Sequence, residues 1–387
     1  MQIPKQFVSR RHVLLWLATL PLVGCAPHEI QRSITTANRV IGGDVAGAVT
    51  GYIPSTGVAA VDQLVRRQIQ TMISEIKKRW GDEKVATEKE YVKYTANYQS
   101  RAIISFESGL ARVETRQAHD PVAALRQAII ATLLTPEDPT TVDLLSAKEF
   151  DTDGEPFLYK LVVDHEKEYI RWQWRAARFA DSLLQTSLKT ERSHGSITHF
   201  VTFNLVREYQ TNQQFKYQNF VVQNARRFQQ SPALMYAIME AESSFNPYAM
   251  SHVPAYGLMQ IVPTTAGRDV HQLLYGREGT PTRDYLFVPE NNIRMGAGYL
   301  HLLDTRYLRM IENPVSREYC VIAGYNTGSG NVLRAFHQNR DQAVSRANRM
   351  APPDLYRHLL RHLPYQETRN YLPKVVGYKE KYRSVTL

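Results

Sequence analysis

The sequence predicts an α+β domain followed by an all-helical one, both behind a secretory leader. Three observations carry this. Short apolar runs alternate at period 2 up to about residue 206, beyond it they recur at helical spacing, and residues 1–24 are basic and then apolar, unlike the rest. Length suits about two domains, and 43% hydrophobic with 22% charged residues is an ordinary globular balance.

Lys5, Arg10 and Arg11 precede an apolar run from Val13 to Val23, too short to span a bilayer comfortably, which places residues 1–24 as a leader. Leu22-Val23-Gly24-Cys25 resembles the bacterial lipobox, so the resemblance implies cleavage before Cys25 and acylation of its thiol. Ala26, in place of a retaining aspartate, implies the outer membrane, facing the periplasm. Ser9-Arg10-Arg11 with Leu14 and Leu15 also resembles a twin-arginine signal, so the export route stays open. Residues 25–58 read as a tether of scattered Gly, Ser, Thr and Pro.

Residues 59–206 form the α+β domain. Ile69, Met72, Ile73, Ile76 and Trp80 continue one helical face that begins at Val61 and stops at Gly81. Ile104 and Phe106, then Ala111, Val113 and Thr115, alternate around Glu107-Ser108-Gly109 as a hairpin. Asp120-Pro121 starts a helix with Val122, Leu125, Ile129 and Leu133 inward. Phe157 to Val163 and Tyr169 to Trp174 read as a second strand pair, Trp172 and Trp174 sharing a face that is either core or the lining of a sugar groove. Phe179 to Leu188 reads as a helix and Ile197 to Val206 as a strand. No catalytic constellation stands out in this domain.

Residues 207–387 are helical throughout. Phe215 to Phe228 is amphipathic, and Asn291 to Tyr307 places Gly296 and Gly298 inside a helix, where they suggest close helix contacts. Between them, Ser231-Pro232 starts a helix with Leu234, Met235 and Ile238 on its apolar face, and four residues on from Ile238 comes Glu242. Glu240 is rotated by about 200° from Glu242 and points away. Asn246-Pro247 should end the helix, leaving Glu242 in its last turn. Burial and the negative helix end both raise a carboxyl pKa, as a general acid near neutrality requires. An isolated Glu so placed is ordinarily a solvated carboxylate; the downstream motifs decide otherwise.

Ala237-Ile238-Met239-Glu240-Ala241-Glu242-Ser243-Ser244-Phe245-Asn246-Pro247 resembles the first motif of the lytic transglycosylases with a goose-type lysozyme-like domain. Gly257-Leu258-Met259-Gln260, Gly324-Tyr325-Asn326-Thr327-Gly328 and Glu367-Thr368-Arg369-Asn370-Tyr371-Leu372-Pro373-Lys374-Val375 resemble the remaining three, in order. The resemblance implies an all-α lysozyme-like catalytic domain after the α+β domain, with Glu242 catalytic. It implies substrate contacts from Ser243, Met259, Gln260, Tyr325, Asn326 and Tyr371, and no cofactor. Gly324 replaces the usual alanine at a helix start, and the bulk of Tyr256 would alter a sugar subsite.

Ordinary glycosidases place two carboxylates roughly 5 Å or 6.5–9.5 Å apart across the scissile bond. The motifs supply one, so the resemblance implies a substrate-assisted reaction on peptidoglycan that closes a 1,6-anhydro ring on N-acetylmuramic acid. The alternatives are a muramidase, its second carboxylate drawn from a loop such as Glu278 or Asp284, and a non-catalytic wall-binding lipoprotein. Net charge is +10, or +7 once the three leader cations, which have no acidic counterpart, are removed. That suits an anionic polymer, and export disfavours nucleic acid. Cys320 sits among apolar residues as a buried hydrophobe. His194 with His199, and His358 with His362, lack a third metal ligand. No signal of oligomeric state is present.

Overall fold

The computed structural model describes residues 59–193, 195–251 and 255–384. The leader, Cys25, the tether and His194 lie outside the described residues. Helix α1 (Ala59–Trp80) buries Ile69, Met72, Ile73, Ile76 and Trp80, as the spacing predicts. A five-stranded antiparallel sheet follows, ordered β1-β2-β3-β5-β4. Its strands are β1 (Glu90–Thr95), β2 (Ser100–Ser105), β3 (Leu110–Thr115), β4 (Lys189–Ser193) and β5 (Ser196–Asn204).

Helix α2 (Pro121–Leu133) lies across β2, β3 and β5 and also packs on α3 (Gln173–Thr186). The Asp120 carboxylate caps α2 by accepting from the Ala123 amide at 3.1 Å. Leu125, Ile129 and Leu133 are buried, but Val122 faces solvent. Strand β1 escapes the pattern reading because Lys93 interrupts it. That lysine is 2% exposed, and its ammonium donates to the carbonyls of Asp143, Ser146 and Lys148 at 2.8–2.9 Å.

The expected strand pair at Phe157–Val163 and Tyr169–Trp174 is absent; a single bridge joins Val163 to Tyr169. Asp164 instead organises a polar turn, accepting from the Glu166 and Glu168 amides and pairing with Arg175 at 2.5 Å. The Ala-rich run from Gln173 then takes helical periodicity as α3. Trp172 and Trp174 are exposed around its start rather than core.

The second half is helical: α4 (Tyr209–Phe228), α5 (Pro232–Ser243), α6 (Arg268–Tyr275), α7 (Arg283–Phe287), α8 (Pro289–Leu302), α9 (Pro314–Thr327), α10 (Ser329–Arg334), α11 (Arg340–Asn348), α12 (Pro352–His362) and α13 (Gln366–Lys381). Helix α5 is central, packed against α13 and α4. Its Ser231 cap accepts from the Leu234 amide. Every residue of α5 is buried except Glu242, which is half-buried. Buried on all sides, α5 therefore has no single apolar face.

Close packing of α8 explains its glycines. A methyl group at Gly296 would collide with the Met259 sulfur, and one at Gly298 would lie 2.6 Å from a Val270 methyl. Cys320 is fully buried, which pushes its thiol up to about 12.

Among the described residues, the second half reaches the first core through Tyr209 of α4, whose hydroxyl donates to the Phe106 carbonyl at 2.7 Å, and more deeply through Tyr248. Tyr248, just beyond α5, is buried among Tyr91, Phe157 and the other apolar residues of the first domain.

Candidate active site

Helix α5 ends at Ser243, earlier than Asn246-Pro247 alone suggests, because Ser244 closes it in the left-handed conformation (φ 51°). Glu242 therefore lies in the last turn, as expected. Its Oε1 accepts from the Tyr371 hydroxyl of α13 at 2.6 Å. Burial, the largest influence, pushes the Glu242 carboxyl up to about 8. The Tyr371 bond and Lys374 oppose this, while Glu367 and Glu88 reinforce it.

The phenols of Tyr325 and Tyr371 are both pushed up, first by burial and then by the charge of Glu242. The Tyr325 hydroxyl donates to the Met259 carbonyl at 2.9 Å. That joins the third motif to the second. Asn326 donates to Glu367 at 3.1 Å and accepts from Thr368 at 2.6 Å, joining the third to the fourth.

The second motif forms a tight turn. Gly257 has φ 73°, and an added Cβ would meet the Asn292 amide group and the Leu286 carbonyl, so only glycine fits. Asn292 accepts from the Met259 amide at 2.7 Å and donates to the carbonyls of Tyr256 and Leu286. Met259 is fully buried against α8. Gln260 has φ 46°; its amide nitrogen donates to the Gly257 carbonyl at 2.9 Å, and its buried carbonyl oxygen has no protein partner. Ser243 is wholly buried, its hydroxyl 3.0 Å from the Met239 carbonyl and 2.8 Å from that of Leu258. It joins α5 to the turn.

Several expectations are corrected here. Tyr256 packs in the core, its ring 5.5 Å from Phe287, rather than in a sugar subsite. Gly324 lies in the last turn of α9, where its carbonyl accepts from the Gly328 amide, not at a helix start. Glu278 and Asp284 are exposed, and Asp284 pairs with its neighbour Arg283. Glu240 does point away from Glu242, but it is 4% exposed and holds Lys381 at 2.9 Å and the Tyr382 hydroxyl at 2.6 Å.

Sequence reasoning missed four charged groups. Glu367, Tyr371 and Lys374 are spaced i, i+4 and i+7 along α13, so one face of the fourth motif carries them all. Glu88 and Lys89 come from the first domain, just before β1, where nothing in the sequence marks them. Lys89 pairs with Glu107 at 2.6 Å and lies beside Lys374. Lys374 is held down to about 8 by burial and by Lys89. Burial and Glu367 push Glu88 up. The surroundings of Glu242 thus contain carboxylates beyond the catalytic one, Glu367 from the fourth motif and Glu88 from the first domain. Among the described residues, no group of three or more His, Cys, Asp or Glu is placed to hold a metal ion.

Two family models match the chain. That of the membrane-bound lytic murein transglycosylase C N-terminal domain covers residues 59–216, and that of the transglycosylase SLT domain covers 219–348. A membrane-bound lytic murein transglycosylase C of Klebsiella pneumoniae subsp. pneumoniae is 47% identical over 307 residues, spanning 79% of this chain and 85% of that protein. This chain belongs to the membrane-bound lytic murein transglycosylase C family. The Yersinia pestis member is 46% identical over 79% of this chain and 86% of its own length. Among solved structures, an inactive mutant of lytic transglycosylase Slt from Pseudomonas aeruginosa aligns at TM-score 0.33 and 26% identity, over 44% of this chain and 25% of that one. The 70 kDa soluble lytic transglycosylase of Escherichia coli aligns at TM-score 0.37 and 17% identity, over 92% of this chain and 46% of its own. Membership accounts for both halves at once: the α+β domain carries the family's own N-terminal model and the lysozyme-like domain its catalytic one.

Proposed function

We propose that this chain cleaves the β-1,4 bond between N-acetylmuramic acid and N-acetylglucosamine in peptidoglycan, with Glu242 as acid and then base. The single observation that carries the reading is the half-buried Glu242, its carboxyl raised to about 8 by its surroundings and gripped by Tyr371. Such a group stays protonated near neutrality and can give its proton to the leaving glycosidic oxygen. The muramyl acetamido oxygen then attacks the anomeric carbon, so no protein nucleophile is needed. Glu242, now a carboxylate, takes the proton from the muramyl 6-hydroxyl, whose oxygen closes onto the anomeric carbon and releases the acetamido group. The product is a 1,6-anhydro end, lighter by one water than a hydrolytic product.

The other predicted residues take supporting roles. Tyr371 aims Glu242, Asn326 holds Glu367 near it, and Gln260 closes the second-motif turn through its bond to the Gly257 carbonyl. Tyr325, Met259 and Ser243 brace the wall between them. Mass spectrometry of muropeptides released from purified sacculi tests the reaction: anhydro ends are expected, and reducing ends would instead assign a muramidase in which Glu367 or Glu88 activates water. Glu242→Gln should lower turnover by several orders of magnitude, since each general acid–base step is worth about 10²–10⁴-fold.

Acylation of Cys25 would tether the enzyme to the outer membrane on its periplasmic side. The relatives' membrane-bound designation supports this, and no described helix is long and apolar enough to cross a bilayer. Cys25→Ser should release the chain from membrane fractions with loss of the acyl mass; unchanged fractionation would refute the anchor.

A further inference from the structure

Chain leaving the Glu242 helix runs directly into the first domain's core. Tyr248 is fully buried there, its ring centroid 5.1 Å from those of Tyr91 and Phe157, and its hydroxyl donates to the Pro136 carbonyl at 2.6 Å. All three partners belong to the α+β domain. Flanking contacts hold the same segment: the Asn246 side-chain amide donates to the Glu88 carbonyl at 3.2 Å, and the Met250 amide to the Thr87 carbonyl at 3.4 Å. Lys216 of α4 pairs with Glu137 at 3.1 Å, next to Pro136.

Between Glu242 and this anchor the backbone is strained. Ser244 and Phe245 are consecutive non-glycine residues in the left-handed region, at φ 51° and 62°. Each costs about 1–2 kcal/mol and persists only where its surroundings overdetermine it. Phe245 is clamped from within the catalytic domain by the Tyr236 and Tyr382 rings; the outward pull comes from Tyr248. On the far side of the anchor, the Ala249 carbonyl accepts from the Gly257 amide at 2.8 Å, which ties it to the turn carrying Met259 and Gln260.

We propose that Tyr248 is a positioning residue for the reaction: plugged into the first domain, it fixes both the strained exit of the Glu242 helix and the Gly257–Gln260 turn. The α+β domain is thereby part of the catalytic scaffold. Tyr248 touches no substrate and acts through the backbone on either side of it. This rests on the reading of Glu242 as the acid.

The test compares Tyr248→Ala, Tyr248→Leu and Tyr248→Phe in the full chain, solubilised in detergent, with soluble uncrosslinked glycan strands as substrate. Misplacing the acid affects the bond-breaking step more than binding, so kcat of the Ala variant should fall about 10- to 100-fold with KM nearly unchanged. The Phe variant keeps the ring and loses one hydrogen bond, so kcat should stay within about threefold. Backbone amides of residues 243–246 should exchange hydrogen faster in the Ala variant and not in the Phe variant. If Ala unfolds the protein, Leu preserves the apolar volume and is expected to show the same kcat loss and faster exchange in a folded chain. Wild-type kcat and exchange in a folded Ala or Leu variant would overturn the proposal, as would an equal loss in the Phe variant. Should wild type itself release no product, the catalytic reading fails, while exchange at residues 243–246 still decides the anchor.

Discussion

Tyr371→Phe isolates one hydrogen bond to the reacting group. The hydroxyl lies 2.6 Å from Glu242 Oε1, and the ring is 7% exposed, so phenylalanine keeps the wall and removes only the donor. A bond to a charged acceptor is worth about 1.5–3 kcal/mol, and one pKa unit is about 1.4 kcal/mol. Because Glu242 is half-buried, the lower end applies: a shift of about one unit. The sign follows from which form the bond favours. Tyr371 stabilises the carboxylate, so losing it raises the Glu242 pKa above the present value of about 8, and Glu242 stays a competent acid to higher pH. The alkaline limb of kcat, followed from about pH 6 to 10 on soluble glycan strands, should therefore move up by about one unit. Two charge variants fix the direction independently. Lys374→Met removes a cation and should move the limb up, whereas Glu367→Gln removes an anion and should move it down. A limb that moves down in Tyr371→Phe, or does not respond to any of the three, would refute Glu242 as the titrating acid.

Glu242→Gln should stabilise the fold in alkali while it abolishes turnover. A carboxyl whose folded pKa is raised from 4.5 to about 8 makes the folded state hold its proton more tightly than the unfolded state, so wild type loses stability as pH climbs through that window. Thermal unfolding should show no gain for the variant near pH 4 and, after discounting for partial exposure, a gain of about 2 kcal/mol near pH 8.5; a gain independent of pH would contradict the assignment. Glu240→Gln should destabilise by about 2 kcal/mol, measured by urea denaturation, with kcat of the folded fraction little changed.

Much of this was legible in the sequence because short-range chemistry governs it. Ser231-Pro232 marked the start of α5, the step from Ile238 placed Glu242 in its last turn, and Gly296 and Gly298 announced close helix contacts. What stayed hidden depends on partners distant in sequence. The i, i+4, i+7 spacing of Glu367, Tyr371 and Lys374 was readable, but that this face looks onto Glu242 is a property of how α13 lies on α5. Glu88 sits more than 150 residues before Glu242 and has no periodic neighbour to flag it. Lys93 concealed β1 because a buried lysine is rare, and three loop carbonyls make it tolerable only after the loop has folded. Trp172 and Trp174 misled in the opposite sense: alternation over a few residues cannot be told from the first turn of a helix.

Two carboxylates on α5 show how far composition and rotation carry the argument and where they stop. Glu240 and Glu242 are identical side chains two positions apart, and helical geometry alone sends them to opposite sides. Their chemistry diverges through what meets them there. Glu240 finds an ammonium and a phenol from the end of the chain, a pairing that offsets its desolvation and binds α5 to the C-terminal segment. Among the described residues, Glu242 has one direct donor, Tyr371, with Glu367 and Glu88 near enough to oppose its ionisation. Desolvation is therefore compensated at one carboxylate and left standing at the other. The uncompensated one holds a proton that the reaction can use. Both environments close over α5 from other parts of the chain: Lys381, Tyr382 and Tyr371 from its C-terminal end, and Glu88 from the first domain. A helix that the sequence presents as self-contained acquires its acid only when the whole molecule is assembled around it.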